Sequence, residues 1–402
     1  MLTPFGHLTY CTNIHAGENW PNHFAAIEEY FPPIKEKISP DNAMGIGLRL
    51  SNEASIELIE KENLSDFKKW LADHDAYVFT MNGFPYGKFH RKVVKDQVHS
   101  PDWTTDQRVD YTIRLFHILS AIIPAGLDGG VSTSPLSYRL WFKTADLLNA
   151  AKEISTKNII LVIEELIKIH QSSGRLLHLD IEPEPDGLLE TGNEFIEWFE
   201  NEVLPTGIPI IETKFDVSPQ HAENLIKEHL RLCYDVCHFA IGYEPHKQII
   251  EDIANRGIKI GKIQISAALK AKMNSSEENT KSIKESFEKF SEPTYLHQVV
   301  AKTADRKLVR YADLPDALKD NDHRYLEWRA HFHVPVFAKN FGLLSSTQDE
   351  IIEVLTLQKM KPFTKHLEVE TYTWEVLPPE LKLPLQDSII RELQWAKDIL
   401  HK

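Results

Sequence analysis

The sequence predicts a (β/α)8 barrel. Eight short apolar or alternating runs recur along the 402 residues, and the stretches between them carry apolar residues three and four apart on a charged background, as helices covering a parallel sheet do. A further observation is negative. An open doubly wound sheet favours a Gly-rich phosphate turn after an early strand, yet no G-x-G-x-x-G or Walker sequence occurs, and the GIG at 45–47 lies inside a run.

The runs, in order, are HLTYCTNIH (7–15), MGIGLRL (44–50), AYVFTMN (76–82), AIIPAGLDG (121–129), LLHLDIE (176–182), RLCYDVC (231–237), IKIGKIQIS (258–266) and LEVETYT (367–373). Each is short and bounded by polar or turn-forming residues, as strands are. ASIELIEKENLSDFKKWLADH, TTDQRVDYTIRLFHILSA and EFIEWFENEVL read as amphipathic helices between them. About a hundred residues separate the last two runs, including KAKMNSSEENTKSIKESFEKF (270–290), which reads as an exposed helix. The expectation is a single domain over 1–402 with an insertion at about 268–330, placed where insertions shape a barrel's substrate mouth.

Composition narrows the function. Hydrophobic residues make up 42% of the chain, enough for a large core. Lys and Arg number 45 against 59 Asp and Glu, a net charge of -14 without any long basic run. Such a surface repels phosphate backbones, so nucleic acid is not the expected partner. Cys11, Cys233 and Cys237 are too few and scattered for a disulfide framework and read as small buried hydrophobes. The first residues lack the basic and apolar segments of a signal peptide, and no apolar run approaches the roughly 20 residues that span a bilayer. A cytoplasmic protein without membrane insertion is expected.

The informative feature is a polar face on strands that otherwise read as buried. In LLHLDIE, Leu177, Leu179 and Ile181 alternate with His178, Asp180 and Glu182; in LEVETYT, Glu368, Glu370 and Tyr372 share one face. Barrel chemistry gathers at the carboxyl ends of strands. There the fifth run supplies Glu182, followed by Glu184, the sixth Asp235 and then His238, the seventh Gln264, and the eighth Glu370. Carboxylates aimed into one mouth repel unless a cation compensates them, and a divalent metal is the simplest compensation. Carboxylate, imidazole and amide donors suit Mn, Mg, Zn or Fe.

RAHFHVPVF (329–337) offers His331 and His333 on one face, which either clamp a metal or line a polar cleft. Asn13 and His15 share parity on the first run, and Asn82 ends the third; all three suit hydrogen bonding to a polar ligand. Arg49 is either an anion clamp for substrate or an internal ion-pair partner. Trp20, Phe84, Tyr86 and Trp103 are candidates for pocket walls or for core. No G-x-S-x-G elbow is present.

HLDIEPEP and CYDVCHFAIGYE resemble the fifth- and sixth-strand signatures of the xylose isomerase-like TIM barrels, a superfamily of sugar isomerases, ketose epimerases and zinc-dependent apurinic endonucleases. D-x-C-H-x-x-x-G-Y is similar to the endonuclease branch, as is V-E-T at 369–371. LTYCTNIHAGENW, NGFPYGKFH, PDWTTDQRVDYT, LDIEPEPDG and HFHVPVF together resemble the EboE family of metabolite traffic proteins encoded in ebo gene clusters, over essentially the whole chain.

The resemblance implies that Glu182, Asp235 and Glu370 match three ligands of a single-metal site. Gln264 stands where the fourth, a histidine, is usual. It also implies that His238, His331 and His333 match holders of a further zinc, with His331 replacing an Asp. No histidine stands at the third- and fourth-strand ends, so the likeness does not extend to a three-zinc site.

Three readings follow. The leading one is a metal-dependent isomerase or epimerase acting on a small polar metabolite, with Glu182 and Glu370 as acid and base and Asn13, His15, Arg49, Asn82, Glu184 and Tyr372 holding substrate. The alternatives are a zinc-dependent hydrolase or phosphoesterase and a non-catalytic metabolite carrier. A homo-oligomer and partner proteins of the same gene cluster are the associations left open.

Overall fold

The structure, a computed structural model, describes residues 1–87, 93–273, 276–321, 324–374, 377, 379 and 382–401. Lys88, Phe89 and His90 of NGFPYGKFH, and Asn274 and Ser275 of the insertion, lie outside the described residues. The barrel strands are β1 (Gly6–Tyr10), β2 (Met44–Arg49), β3 (Ala76–Asn82), β4 (Gly129–Thr133), β5 (Leu177–Ile181), β6 (Leu230–Asp235), β7 (Ile260–Ile265) and β8 (His366–Val369). Neighbours pair in parallel in the order β1-β8-β7-β6-β5-β4-β3-β2. The ring closes between β1 and β2 by a different means. Cys11 forms a lone bridge to Gly47, while the Thr9 hydroxyl donates to Gly45 O (2.8 Å) and accepts from Gly47 N (3.1 Å).

Helices cover the outside, and hydroxyls start them. Ser51 caps Asn52–Leu58, Thr105 caps Asp106–Ile122, and Thr144 caps the 29-residue Ala145–Ser173, which ends on Gly174 at φ 70. No described helix is long and apolar enough to cross a membrane.

The fourth strand differs from expectation. Ala121 and Ile122 finish the helix Asp106–Ile122, and the strand is GGVST, eight residues after the predicted start. Its two glycines disguise it, since glycine is a poor strand former. They are required by crowding: a Cβ at Gly129 would come within 2.6 Å of Ile123, and one at Gly130 within 2.5 Å of Asp180 and His178. The first run is strand only to Tyr10, with Thr12–Ile14 a 3-10 turn, and the sixth becomes helix after Asp235.

The insertion also differs. It contains the helix Glu277–Glu288, but Ile283 and Phe287 are buried, and most of it is a second, antiparallel sheet. That sheet runs in the order Leu308–Tyr311, Val299–Thr303, Tyr325–Ala330, Leu269–Lys272, Leu344–Ser346, Asn340–Phe341, and so extends past residue 330. Phe287 packs on Trp328 with ring centroids 6.0 Å apart. The ladder partners lie far apart in sequence, so no local period announced them.

Inside the ring the polar faces form layers. His178 and His366 sit lowest, at the strands' amino ends; Asp180, Lys262 and Glu368 lie above them, all fully buried. His178 Nδ1 is 2.6 Å from Asp180 Oδ1, and burial pushes that carboxyl up to about 7. Lys262 Nζ donates to Asn82 Oδ1 (2.5 Å) and to Glu368 Oε2. Burial alone would lower the Lys262 ammonium, but the Glu368 charge and hydrogen bond, together with Cys233 and Cys11, hold the group above its ordinary value. Gly47 and Gly261 make the room, since a Cβ would come 1.9 Å from Glu368 Oε1 or Asp180 Oδ1 respectively. Among these residues only the carboxylates and histidine of β5 and β8 stood out in the sequence; Lys262 did not, because a strand lysine reads as solvent-facing.

Removing one half of a buried ion pair leaves the other charge uncompensated. Lys262→Met is expected to cost about 3–5 kcal/mol in denaturant unfolding, whereas Lys262→Met with Glu368→Met recovers most of that loss. Equal losses in the two variants would show that the pair is not a closed charge unit.

Candidate metal centre

At the carboxyl end of the barrel, Glu182, Asp235 and Glu370 each offer an oxygen, and these atoms lie within 4.8 Å of one another. Three strands deliver them: Glu182 follows β5, Asp235 ends β6 and Glu370 follows β8. Asp235 caps the helix Val236–Ile241, so its Oδ1 accepts from His238 N (3.0 Å) and from Ser266 Oγ (2.8 Å). Its Oδ2 is buried without a hydrogen-bond partner. Glu370 Oε1 accepts from Asn13 Nδ2 (2.8 Å) and Oε2 from Gln264 Nε2 (2.6 Å), which leaves Gln264 Oε1 buried and unpartnered. Gln264 therefore joins the site as a donor to Glu370, and its carbonyl is the atom a cation would take.

Burial, then the charges of Asp235 and Glu184, hold the Glu182 carboxyl well above its ordinary value. Burial, then Glu182 and Asp235, do the same to Glu370. Clustered carboxylates that must keep protons to coexist are what a divalent cation relieves.

A histidine cluster adjoins them, and its hydrogen bonds fix which nitrogens are free. His238 Nδ1 faces Pro183 O at 3.0 Å and must donate to it. His333 Nδ1 faces Glu370 O at 3.2 Å. Gln298 spends its amide nitrogen on Pro185 O (3.1 Å), so its Oε1 faces His331 Nδ1 at 2.8 Å. In all three rings Nδ1 is the donor, and the lone pair falls on Nε2. His238 Nε2 and His331 Nε2 then confront each other at 3.2 Å, while His333 Nε2 is buried without a partner. Two lone pairs at that distance call for a proton or a cation between them. Burial lowers all three rings, His333 to about 4, which keeps them in the neutral form that ligates metal. Asp235, His238 and His333 bring ligand atoms within 4.8 Å of one another, as do Cys237, His331 and His333, so the carboxylate and imidazole groups share Asp235.

Above the donors lies a cleft whose walls include Phe84, Pro85, Val98, Tyr295 and Tyr372, with Asn13, Asn82 and Glu184 as polar points. Glu184 Oε1 is 3.3 Å from His99 Nε2, and Tyr372 packs on His333 with ring centroids 4.7 Å apart.

Two predicted substrate contacts fall elsewhere. Arg49 is 1% exposed and pairs with Glu18 (3.3 Å) while donating to Pro85 O and Gly87 O, which is the internal ion-pair alternative. His15 stacks on Tyr30 and meets the Tyr10 hydroxyl (3.1 Å), lining a neighbouring opening behind Tyr295 and Tyr372. Of the four aromatics, Phe84 reaches the cleft, whereas Trp20 and Trp103 are core. The three cysteines are buried and free, as expected, and Cys237 Sγ lies within 4.8 Å of ligand atoms of His331 and His333. His99, Tyr295 and Gln298 were not foreseen; they come from loops and from the insertion, where no strand parity marks them.

No family model and no curated protein matches the sequence. Among solved structures, a xylose isomerase-like TIM barrel protein from Mycobacterium smegmatis in complex with magnesium aligns with a TM-score of 0.51 and 9% identity, over 100% of this chain and 98% of that one. The IolI protein with a binding zinc atom gives 0.47 at 13% identity over 98% of each chain. A D-tagatose 3-epimerase-like protein gives 0.46 at 10% identity, over 98% of this chain and 97% of that one. The fold is the xylose isomerase-like TIM barrel.

Glu182 and Glu370 bind more protons in the folded than in the unfolded chain between the ordinary glutamate value of 4.5 and their raised folded values. Their contribution to stability is therefore complete below that ordinary value and is lost as pH rises through the folded ones. Metal-free protein is expected to lose stability relative to a Glu182→Gln/Glu370→Gln variant as pH rises from about 5 to about 8. Mn2+ should raise the wild-type melting temperature more at the upper end. Thermal scans with and without chelator check this, and a gap independent of pH would contradict it.

Proposed function

We propose that the protein is a divalent-metal-dependent enzyme of the isomerase or epimerase type, acting on a small polar, sugar-derived metabolite. The observation that carries this reading is the meeting of Glu182, Asp235 and Glu370 within 4.8 Å at the floor of a largely apolar-walled cleft. The unpartnered Asp235 Oδ2, Gln264 Oε1 and His333 Nε2 support it, since buried polar atoms left without partners are costly unless something binds them.

Glu182, Asp235 and Glu370, with Gln264 beside them, would hold Mn2+, Mg2+ or Zn2+. When bound, the cation polarises a carbonyl and its neighbouring hydroxyl and so acidifies the adjacent C–H. Glu182 and Glu370 would take the proton from carbon and return it. Glu184, beside His99, and Asn13 and Asn82 orient hydroxyls, while Phe84, Val98 and Tyr295 exclude water.

A second reading, zinc-dependent hydrolysis, is favoured by one observation: three imidazoles with outward Nε2 lone pairs beside Asp235 supply the donors of a further cation. A double-stranded nucleic acid is a poor substrate for a chain of net charge -14. Membership of the EboE family, and with it a part in metabolite traffic, rests on the sequence motifs alone.

Metal analysis of protein purified without chelator separates the readings. One equivalent of Mn or Mg, with deuterium uptake from solvent into a ketose, supports isomerisation; two or more of zinc without such uptake supports hydrolysis. At saturating Mn2+, Glu182→Gln is expected to lower the exchange rate by about 10²–10⁴. Undiminished exchange in that variant would remove Glu182 from the proposed chemistry.

A further inference from the structure

We propose a second metal site, at the end of the barrel opposite the mouth, in which Asp128, His178 and His366 hold a zinc ion that ties three strands together. Asp128 immediately precedes β4, His178 is the second residue of β5 and His366 opens β8. Their ligand atoms lie within 4.8 Å of one another. His178 Nε2 is 3.8 Å from Asp128 Oδ2, and His366 Nε2 is 3.7 Å from Asp128 Oδ1. Those gaps are too long for hydrogen bonds and can be spanned by an ion about 2.0–2.2 Å from each atom.

The hydrogen bonding prepares His178 as a ligand. Asp180 Oδ1 faces its Nδ1 at 2.6 Å, so Nδ1 donates and the lone pair rests on Nε2. That Nε2 is in a fully buried side chain and has no hydrogen-bond partner. A carboxylate behind an imidazole whose far nitrogen is free is the usual support of a metal-bound histidine. The His366 ring lies 5.2 Å from that of His178, and its Nδ1 is also buried and unpartnered. Its Nε2 faces Asp128 O at 3.2 Å and donates to it in the metal-free ring, so ligation through Nε2 requires that proton to move to Nδ1. Gly130 keeps the space clear, since a Cβ there would meet His178 Cε1 at 2.5 Å.

The donor set chooses the cation. Two neutral nitrogens and one carboxylate suit zinc and not magnesium or calcium, which favour oxygen. Arg231 Nη1 holds Asp128 Oδ2 at 3.1 Å and steadies the carboxylate, though its charge rules out a site that depends on strong negative potential. Asp128 borders an opening on this face, alongside Arg175 and Lys365. This end of a barrel serves stability, so the ion is structural.

The site stands apart from the mouth and does not depend on the function proposed there. Equilibrium dialysis of the full chain against micromolar zinc, followed by diffraction at the zinc absorption edge, tests it. The expected result is anomalous density bonded to His178 Nε2, with loss of one equivalent of zinc and of part of the zinc-induced rise in melting temperature in Asp128→Asn. His366→Gln should lose the same equivalent, which guards against a folding defect peculiar to the first variant. In both, metal that depends on Glu182 should remain. Density at the mouth alone, unchanged stoichiometry in both variants, or occupancy only in millimolar soaks would overturn the proposal.

Discussion

Everything in this barrel depends on how negative charge is kept inside a closed ring of strands. Asp180, Glu182, Asp235, Glu368 and Glu370 all turn inward and are buried. A barrel interior is ordinarily filled with branched apolar side chains, because a buried charge costs several kcal/mol unless it is paired. Here one interior cation, Lys262, answers Glu368 and reaches Asn82 at the same time. The glycines at 47, 130 and 261 are the steric counterpart, since each vacates the volume that a charged side chain from another strand fills. The layer below the mouth thus has a cation of its own, and the layer at the mouth has none among the described residues.

That difference explains which parts of the molecule were legible in the sequence. Strand parity identified the inward face of β5 and β8, and with it Glu182, Glu370 and the architecture, because a period of two survives whatever the partner strand is. Parity does not grade depth, however: only Glu182 of the polar face of LLHLDIE reaches the mouth, and His178 and Asp180 belong to lower layers about two and one pleats away. Lys262 escaped notice for the complementary reason: its register partner on β8 is His366, and its ammonium reaches diagonally to Glu368, a contact no single strand reveals. Arg49 and His15 had the right parity but stand where β1 and β2 leave the ring, so their side chains turn to loops and helix.

The insertion shows the limit from another side. Its charged portion has genuine helical periodicity, and a helix is there. The strands around it are short, their partners are distant, and the residues that matter most sit at strand ends. Gln298 and His331 meet because Val299–Thr303 pairs with Tyr325–Ala330, which brings His331 N to Gln298 O at 2.8 Å. The H-x-H motif was legible, whereas the amide that sets the tautomer of His331 was not.

Gln264 illustrates how a departure from the expected ligand set can be physically coherent. An imidazole at this position would serve a cation through one lone pair. The amide instead donates to Glu370 at 2.6 Å, and Asn13 donates to the other oxygen of the same carboxylate. Two donors favour the charged form of Glu370 against the burial that raises it. Glu182 is opposed by burial and by Asp235 and Glu184, with the Cys233 thiol as its one side-chain hydrogen bond among the causes acting on it. Two carboxylates that meet at one point are thereby given different surroundings, so that protonating one need not cost the same as protonating the other. Under the proposed chemistry that asymmetry is what separates an acid from a base, because a pair of identical glutamates could not exchange a proton in a preferred direction.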